Sequence, residues 1–427
     1  KRDIMAALRR IRALSPALIV CKRGPMGCAL FAGVIPETLD QGLRGPGFPV
    51  EVYNVLGAGD AFLSGFLRGW LRDQALETCA TWATACGAFA VSRLLCSPES
   101  PTWEELNFFL EHGSPHRALR RDARINHLHW ATTRRAVPEH LMVLAMDHRA
   151  QFEAMAEAAA VGSERIGPFK ELAVKAAARV AAGRSGFGLL LDDTYGMRAL
   201  NEAARHHLWI ARPVELPASR PLDFEGQGDL GSRLVEWPVT HTVKCLCLFH
   251  PDDPEALKQA QERELNRLHD ACRRLRRELL IELIAGKHGS LDDMTLAVVL
   301  RRLYDCGIKP DWWKLEPQTS PSAWRNITEA IEDNDPHCRG ILLLGGGTSQ
   351  AELKKAFHAA ASSGKVKGFA VGRSIFAETA EAWFRGEIGD EDAVATMADR
   401  FSDLVEAWQE AAGGPQAASA MSGTLAR

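Results

Sequence analysis

The sequence predicts an α/β protein whose larger, C-terminal part is a closed (β/α)8 barrel. After residue 135, short and nearly continuous apolar runs alternate with amphipathic helical stretches, a pattern typical of parallel strands buried on both faces. Eight such units lie between residues 136 and 412, which matches a TIM barrel. No dinucleotide-binding glycine fingerprint follows the first run, so a doubly wound open sheet is the less favoured alternative.

Length and composition limit the possible functions. With 427 residues, of which 46% are hydrophobic and 25% charged, the chain is expected to form two globular domains. The net charge of −3, the lack of a long apolar run and the lack of a signal-like start predict a cytoplasmic protein without a nucleic-acid or membrane partner. The ten scattered cysteines are expected to be reduced. Cys245 and Cys247 share a strand face, but no second pair or histidine motif accompanies them, so no metal site is expected.

The first segment, residues 1–115, opens with two short apolar strands at 17–21 and 28–31. Gly24 and Gly27 lie in the turn that joins these strands. A loop rich in glycine and proline follows, and it leads to the most informative stretch of this segment.

That stretch is a turn of small residues that leads directly into an apolar helix at about 58–72. Gly57, Ala58 and Gly59 let backbone N–H groups approach an anionic ligand at the positive end of the helix. Asp60 is placed beside them to take a proton from a hydroxyl that attacks a phosphoryl group. A glycine-rich helix start with Asp60 as a first-turn dipole partner explains the same residues without any catalysis.

Residues 54–65 resemble the C-terminal signature of the PfkB/ribokinase family of sugar kinases, whose usual form is Asp-Thr-x-Gly-Ala-Gly-Asp. Asn54 and Val55 replace its first two residues, and the Gly-Ala-Gly-Asp core is intact. The resemblance implies that residues 1–115 are the C-terminal part of a ribokinase-like three-layer α/β/α domain that uses ATP and Mg. It implies that Asp60 is the catalytic base, that Gly57, Ala58 and Gly59 form an anion hole, and that Gly24 and Gly27 belong to a nucleotide-side turn. Since most of the family's sheet, sugar contacts and lid precede this signature, the kinase part is expected to be incomplete.

The rest of the chain is expected to comprise a linker, a barrel and a tail. The basic, aperiodic linker is placed at 116–135, the barrel at 136–412 and a mobile tail at 413–427. Strands are predicted at 140–147, 187–192, 207–211, 242–249, 279–284, 312–316, 340–344 and 366–371. Helices between them are predicted, among others, at 164–182, 254–278, 291–306 and 349–362.

Charged residues recur inside these apolar strands or at their C-terminal ends, where barrels carry their functional groups. Core stability gives no reason for them, because each costs desolvation. Several charges at the same end of a barrel therefore predict a polar site. The candidates are Asp147, Arg149, Asp193, Lys244, Glu282 and Lys314.

The last two strands end in backbone-rich turns that are suited to a phosphate group. Gly346 and Gly347 lie in a glycine triplet before a helix, and Gly372 with Arg373 offers further N–H groups and a fork-shaped cation. Barrels commonly bind a substrate phosphate at this position. The alternative for the triplet is a flexible turn.

Together these features suit Schiff-base chemistry on a phosphorylated ketone. A lysine that is partly desolvated and crowded by a second cation loses its proton more readily and becomes a nucleophile. We expect Lys314 to form the imine and Glu282 to shuttle the proton. Lys244 is expected to lower the pKa of Lys314 or to orient the substrate oxygens.

These strand ends resemble those of class I aldolases of the tagatose-bisphosphate aldolase type. The matching elements are Asp147-His148-Arg149 for Asp-Gln-Arg, the lysine Lys244, the glutamate Glu282, Trp313-Lys314-Leu315-Glu316 around the Schiff-base lysine, and Gly372-Arg373. The resemblance implies a Schiff base on Lys314 and no cofactor for the aldolase part. His148 departs from the glutamine of the family.

A PfkB kinase followed by such a barrel is similar to bacterial fusion proteins of myo-inositol breakdown. These join 5-dehydro-2-deoxygluconokinase to the matching phosphate aldolase. The resemblance implies cleavage of 5-dehydro-2-deoxygluconate 6-phosphate to dihydroxyacetone phosphate and malonate semialdehyde. We further expect a homo-oligomer that binds a sugar phosphate and, where the kinase domain is complete, ATP.

Two other functions fit parts of the pattern. A zinc-dependent aldolase would need histidines at several strand ends, and its candidates are His148, His241, His250 and His288. A barrel without catalytic activity could bind a sugar phosphate and regulate the kinase.

Overall fold

The computed structural model describes residues 3–226 and 229–413, and the chain divides into two compact units, Lys1–Arg135 and Ala136–Arg427. Each unit has its own buried apolar clusters. The mobile tail predicted at 413–427 lies outside the described residues, apart from its first residue.

The first unit combines a small antiparallel sheet with helices. Its sheet has the order β1-β2-β3. The strands are β1 Ile19–Lys22, β2 Cys28–Phe31 and β3 Leu43–Gly45. The described helices are α1 Ile4–Leu14, α2 Ala58–Trp70, α3 Leu76–Ser92, α4 Trp103–His112 and α5 Ala123–Thr133.

Helices α2 and α3 pack closely because glycines face the neighbouring helix. A Cβ atom at Gly65 would lie 2.6 Å from the Trp82 carbonyl oxygen, and one at Gly69 would lie 2.7 Å from Cys79 Sγ. This packing fixes α2 and with it the glycine-rich turn at its start.

The segment expected to be a linker, 116–135, belongs to the first unit. It contains α5, and the side chains of Leu119 and Ile125 are buried in an apolar cluster with Phe89 and Phe109. Asp122 begins the helix by accepting hydrogen bonds from the backbone N–H groups of residues 124 and 125.

The second unit is a closed barrel of eight parallel strands in the order β4-β5-β6-β7-β8-β9-β10-β11, with β11 pairing back to β4. The strands are β4 Leu141–Ala145, β5 Phe187–Leu190, β6 Trp209–Pro213, β7 Thr242–Leu248, β8 Leu279–Ile284, β9 Trp312–Leu315, β10 Gly340–Leu344 and β11 Val366–Val371. The (β/α)8 prediction is therefore confirmed, and the open-sheet alternative is wrong.

Helices lie between the strands and after the last one. Those described are α6 Ala150–Ala158, α7 Ile166–Ala181, α8 Met197–Ala203, α9 Leu230–Val235, α10 Glu255–Arg274, α11 Thr295–Asp305, α12 Pro321–Asn334, α13 Gln350–Ala361, α14 Arg373–Phe384 and α15 Asp390–Ala411. The four helices predicted by example correspond to α7, α10, α11 and α13, with ends within a few residues.

Alternation along the strands decides which side chains enter the barrel. Trp312 belongs to an interior cluster with Leu280 and Leu342, whereas Trp313 packs in the layer between the strands and the helices. Lys314 is two residues beyond Trp312 and therefore also points inward. A buried strand that is otherwise apolar thus carries its one charge into the barrel.

Candidate active site

Charged side chains from five strands meet inside the barrel mouth. Lys244, Glu282 and Lys314 come from the adjacent strands β7, β8 and β9, and all three are buried. Glu282 and Lys314 are direct partners in the register of β8 and β9. Asp147 follows β4, and Glu215 follows β6. We call these five residues the central cluster.

Lys244 is the hub of the central cluster. Its Nζ atom lies 2.9 Å from Asp147 Oδ2, 3.0 Å from Glu215 Oε1 and 2.9 Å from Glu282 Oε2. Burial alone would lower the pKa of Lys244, but the three carboxylates outweigh burial and raise its pKa well above the ordinary value. Lys244 is therefore a fixed positive charge.

Glu282 connects the two lysines. Its Oε1 atom lies 2.8 Å from Lys314 Nζ, and its Oε2 atom is the one that binds Lys244. Burial raises the pKa of Glu282, but the two ammonium groups outweigh it and the pKa lies below the ordinary value. Lys314 thus has one carboxylate partner among the described residues, whereas Lys244 has three.

Two tryptophans hold the strand that carries Lys314. The Trp312 ring fills the barrel interior with its centroid 6.4 Å from that of Trp209. On the opposite face, the Trp313 indole N–H donates a hydrogen bond of 2.8 Å to the Tyr304 hydroxyl. Large buried rings on both faces fix the rotation of the strand and hence the direction of the lysine.

Glu316, two residues after Lys314, binds backbone groups at the end of β8 and is not part of the central cluster. Its Oε2 atom accepts hydrogen bonds from the backbone N–H groups of Ala285 and Gly286, at 2.7 and 3.0 Å. It therefore ties the end of β9 to the end of β8.

Glu215 was missed by the sequence reasoning. This buried residue accepts hydrogen bonds from Lys244 and, at 3.3 Å, from Arg149 Nη2. Arg149 Nη1 in turn lies 2.7 Å from Glu225 Oε1. Glu215 follows a strand directly in Val-Glu-Leu-Pro, and a carboxylate at a strand end is the signal that could have identified it.

Asp147 and His148 line the mouth beside the hub. Burial raises the pKa of Asp147, but Lys244 and the other cations outweigh burial and hold it well below the ordinary value. Burial lowers the pKa of His148 to about 4, and Lys314 and Lys244 add to this effect. Near neutral pH, Asp147 is therefore charged and His148 is neutral.

Asp193 lies at the edge of the mouth rather than in the central cluster. Its Oδ2 atom lies 2.7 Å from Arg212 Nη2, and its Oδ1 atom lies 3.3 Å from Arg233 Nη2. It borders an open cavity of about 560 Å³. The cavity is lined by Asp193, Thr194, Met197, Glu225, Gly226 and Arg233.

The structure brings the two predicted phosphate turns together. Gly346 and Gly347 have φ angles of +57° and +83°, which only glycine adopts without strain. A Cβ atom on Gly347 would lie 2.8 Å from Arg373 Nη2, so the guanidinium rests against this turn. Gly372 packs under His148, since a Cβ atom there would lie 2.8 Å from His148 Cε1. Arg373 is exposed and has no carboxylate partner among the described residues.

The four histidines considered for zinc do not form a joint site. Among residues 3–226 and 229–413, no group of three or more His, Cys, Asp or Glu side chains is arranged to hold a metal ion. His250 instead lies with its Nε2 atom 3.1 Å from the Ser290 carbonyl oxygen, and burial lowers the pKa of His241 to about 4.

The glycine-rich turn of the first unit leads directly into α2. Gly57 begins α2 in the left-handed conformation, with φ +77°, and Asp60 is exposed in the first turn of the helix. A Cβ atom at Gly59 would lie 3.2 Å from Lys22 Nζ, so an ammonium group lies beside the turn. Ala58 is the first helical residue.

Gly24 and Gly27 both lie in the tight turn between β1 and β2. Their φ angles are +57° and +81°, and Gly27 N donates a hydrogen bond of 3.0 Å to the Gly24 carbonyl oxygen. Gly27 is buried against Gly45, whereas Gly24 is exposed. The same turn therefore serves packing at one glycine and is open to solvent at the other.

Two family models match the chain. The model described as "Uncharacterized protein conserved in bacteria (DUF2090)" matches residues 105–412, and the model described as "pfkB family carbohydrate kinase" matches residues 1–103. No described helix has both the length and the apolar character needed to cross a membrane.

Curated relatives match the first unit. ATP-dependent ribose-1-phosphate kinase from Halopiger xanaduensis is 46% identical over 48 residues, which is 11% of this chain and 16% of that protein. 5-Dehydro-2-deoxygluconokinase from Halalkalibacterium halodurans is 28% identical over 111 residues, which is 26% of this chain and 32% of that protein. The chain thus spans less than a third of the length of these relatives.

The barrel is similar to a solved aldolase structure. Fructose-bisphosphate aldolase from Plasmodium falciparum superposes with a TM-score of 0.50 at 14% identity, covering 65% of this chain and 93% of the other. At this identity the likeness concerns the fold. Because the DUF2090 model covers well over half of the residues, this chain belongs to the DUF2090 family of bacterial proteins and carries a PfkB carbohydrate-kinase region ahead of its barrel.

Proposed function

We propose that the barrel is a class I aldolase that cleaves a phosphorylated keto-sugar acid through a Schiff base on Lys314. The observation that carries the proposal is the 2.8 Å contact between Lys314 Nζ and a Glu282 oxygen, beside a second lysine held as a fixed charge. An amine that adds to a carbonyl needs a group that takes up its proton and returns it to the departing hydroxyl. Glu282 is placed to do both.

The two lysines have different tasks in this proposal. Lys244 is bound by three carboxylates, its pKa is raised well above the ordinary value, and it stays protonated. A protonated amine cannot attack a carbonyl, so Lys244 serves as an electrostatic group that polarises substrate oxygens. Lys314, which has a single carboxylate partner within residues 3–226 and 229–413, is the nucleophile.

The reaction proceeds in balanced steps. Neutral Lys314 Nζ adds to the substrate ketone, and the resulting carbinolamine loses water to give the protonated imine. A base, for which we propose Glu282, removes the proton from the hydroxyl group on the carbon two positions away from the imine carbon. The bond between the carbon that carries this hydroxyl and the carbon next to the imine breaks, the hydroxyl-bearing carbon leaves as an aldehyde, and the electron pair of the broken bond forms the enamine. Protonation of the enamine carbon and hydrolysis of the imine release the ketone product and free Lys314.

The phosphate is proposed to bind at the turns after β10 and β11. Since β10 pairs with β9, a phosphate bound at these turns would lie next to the strand that carries Lys314. In the proposed substrate a single carbon separates the ketone from the phosphate ester, so the phosphate site must lie close to the lysine that attacks the ketone. Gly346, Gly347, Gly372 and Arg373 would supply backbone N–H groups and a guanidinium, and Arg149 and Asp193 would contact the rest of the substrate.

The substrate we propose is 5-dehydro-2-deoxygluconate 6-phosphate, which would give dihydroxyacetone phosphate and malonate semialdehyde. Support comes from the order of the two regions and from relatives of the first unit that are named 5-dehydro-2-deoxygluconokinase. Such a kinase would supply a phosphorylated substrate to the barrel. We propose a cytoplasmic homo-oligomer for the whole protein.

We propose that the first unit is the C-terminal part of that kinase domain, from residue 1 to about 115. Asp60 would be its base, with Gly57, Ala58 and Gly59 as an anion hole and Gly24 and Gly27 on the nucleotide side. The left-handed Gly57, the exposed helix start and the nearby Lys22 fit an anionic phosphoryl group. ATP and Mg would supply the transferred phosphoryl group and its charge neutralisation.

Borohydride trapping tests the aldolase proposal. The chain is incubated with dihydroxyacetone phosphate, reduced with borohydride, digested and analysed by mass spectrometry. We expect one stable adduct per chain, on Lys314, and loss of both the adduct and the cleavage activity in Lys314→Met. Lys367→Met is the matched control, because Lys367 also lies on a barrel strand but outside the central cluster, and it should keep both.

Other outcomes separate the alternatives. Full cleavage by Lys314→Met would contradict the proposal directly. Cleavage that a chelator abolishes, without any adduct, would favour a zinc-dependent aldolase. Tight binding of the sugar phosphate with neither an adduct nor cleavage would favour a barrel that regulates the kinase.

A further inference from the structure

A lysine outside the central cluster is completely buried behind it. Lys170 is in the second turn of α7, on the outer side of the barrel, and its exposed fraction is 0%. Its Nζ atom forms an ion pair with Asp192, which is also completely buried and follows β5. The proposed reaction steps use neither residue. Burying two charges costs desolvation free energy, so core packing alone does not explain why Lys170 and Asp192 lie there.

The remaining contacts of Lys170 converge on one segment. Its Nζ atom donates hydrogen bonds to the carbonyl oxygens of Met146, at 2.8 Å, and His148, at 3.4 Å. These two residues flank Asp147, so both carbonyl groups around Asp147 are turned toward Lys170. The ammonium also lies 5.0 Å from the Phe152 ring centroid, on the helix that follows this segment.

The partner carboxylate fixes the neighbouring strand end in the same way. Asp192 uses its second oxygen to accept a hydrogen bond of 2.8 Å from the Tyr195 backbone N–H. Lys170 and Asp192 together therefore clamp the C-terminal ends of β4 and β5. With both flanking carbonyls held outward, the side chain between them is directed into the mouth, where Asp147 meets Lys244 at 2.9 Å.

We propose that Lys170 is a positioning residue for the aldol cleavage, acting through Asp147 on Lys244. The inference rests on the proposed function of the barrel. Loss of the clamp would let the segment around Asp147 shift, and a displacement of about 1 Å in a catalytic group can cost 10²-fold in rate. The imine-forming pair of Lys314 and Glu282 has no contact with the clamp among the described residues and should be spared.

The test compares variants of the full chain with 5-dehydro-2-deoxygluconate 6-phosphate as substrate. Lys170→Met alone would leave a buried unpaired carboxylate and could prevent folding, so the variant is Lys170→Met with Asp192→Asn. We expect kcat to fall about 10²-fold, while borohydride still traps dihydroxyacetone phosphate on Lys314 with wild-type stoichiometry. Lys309→Met is the control, because Lys309 also binds a backbone carbonyl, of Asn334, but before β9; it should keep wild-type kcat.

A cycle with Asp147→Asn separates positioning from general destabilisation. If Lys170 acts through Asp147, adding Lys170→Met and Asp192→Asn to Asp147→Asn should lower kcat only a little further, by roughly twofold or less. The inference would be overturned if the fold-losses in kcat from Asp147→Asn and from Lys170→Met with Asp192→Asn multiplied, or if the latter variant had wild-type kcat. Either result would leave the aldolase proposal standing. A wild-type chain that neither forms the adduct nor cleaves would overturn both.

Discussion

The two lysines on β7 and β9, one on each side of β8, differ in the number of carboxylates around them. In the part of the chain that the structure describes, Lys244 has three carboxylate partners and Lys314 has one, although both are buried to a similar degree. Strand alternation puts Lys314 on the same face of β9 as Trp312, which lies in the barrel interior. It could not predict how the charges are shared, because Glu215 lies beyond the end of its strand, where no periodicity applies.

Glu215 provides the first prediction at this scale. Glu215→Gln removes one carboxylate partner from Lys244 and one from Arg149. Lys244 keeps Asp147 and Glu282 as partners, and Arg149 keeps Glu225. We expect the free energy of unfolding to fall by about 2–3 kcal/mol and kcat for cleavage to fall about tenfold. Urea unfolding and steady-state kinetics measure the two effects.

Glu225→Gln is the matched control for Glu215→Gln. Glu225 also binds Arg149 but has no contact with Lys244 among the described residues, and it is less buried. Its substitution should cost about 1 kcal/mol or less and should leave kcat near the wild-type value. Equal effects of the two substitutions would contradict the special place of Glu215 in the central cluster.

A second residue-scale prediction concerns acid stability. Burial lowers the pKa of His148 and of His241 to about 4, from an ordinary value of about 6.5. Between these values the unfolded chain binds protons that the folded chain does not, so stability is full above about pH 6.5 and falls as the pH drops toward 4. Each group contributes up to about 1.4 kcal/mol per pH unit in this window.

Unfolding measured between pH 5 and 7 tests this prediction. The slope of stability against pH should be smaller in His148→Gln, smaller in His241→Gln, and smallest in the double variant. Asp147 and Glu282, whose pKa values are lowered, lose their stabilising contribution only at more acidic pH, below the ordinary carboxyl range. An unchanged slope in the double variant would show that these histidines are not shielded in the fold.

At the scale of elements, the phosphate site depends on turns rather than on side chains. Gly347 combines a φ of +83° with close contact to Arg373, so an alanine there would strain the backbone and push the guanidinium away. We expect Gly347→Ala to raise KM for the phosphorylated substrate about tenfold or more, with a smaller change in kcat. Steady-state kinetics measure both parameters.

Gly364→Ala is the control for backbone strain alone. Gly364 has a φ of +69° before β11 and open space around it, far along the strand from the turn that carries Gly372 and Arg373. It should lower stability to a similar extent without changing KM. A similar rise of KM in both variants would mean that strain, not the phosphate contact, is responsible.

The strands and helices of the barrel could be predicted because apolar periodicity reports burial directly. The eight strands and helices such as α7 and α10 lie where the pattern placed them. Lys170 was not singled out, although it falls on the apolar face of α7 between Phe169 and Ala173, where a charge is out of place. Its partner, Asp192, lies 22 residues further along the chain, just after β5. Such a pairing depends on how α7 packs against the end of that strand, which no local pattern contains.

For the whole molecule, the division into two units separates the proposed chemistries. The buried clusters of residues 136–427 are built from that unit's own side chains, and those of residues 1–135 likewise. The central cluster and the phosphate turns all come from the second unit. The glycine-rich turn with Asp60 comes from the first.

We therefore expect a chain of residues 136–427 to fold and to cleave the substrate without the first unit. A domain with its own core can fold alone, and no residue proposed for the aldol reaction would be lost. Circular dichroism melting and cleavage kinetics should give values close to those of the full chain. Asp60→Asn in the full chain is the companion control, and it should leave cleavage unchanged because Asp60 belongs to the kinase region. Loss of folding or cleavage in the shorter chain would mean that the barrel depends on residues of the first unit.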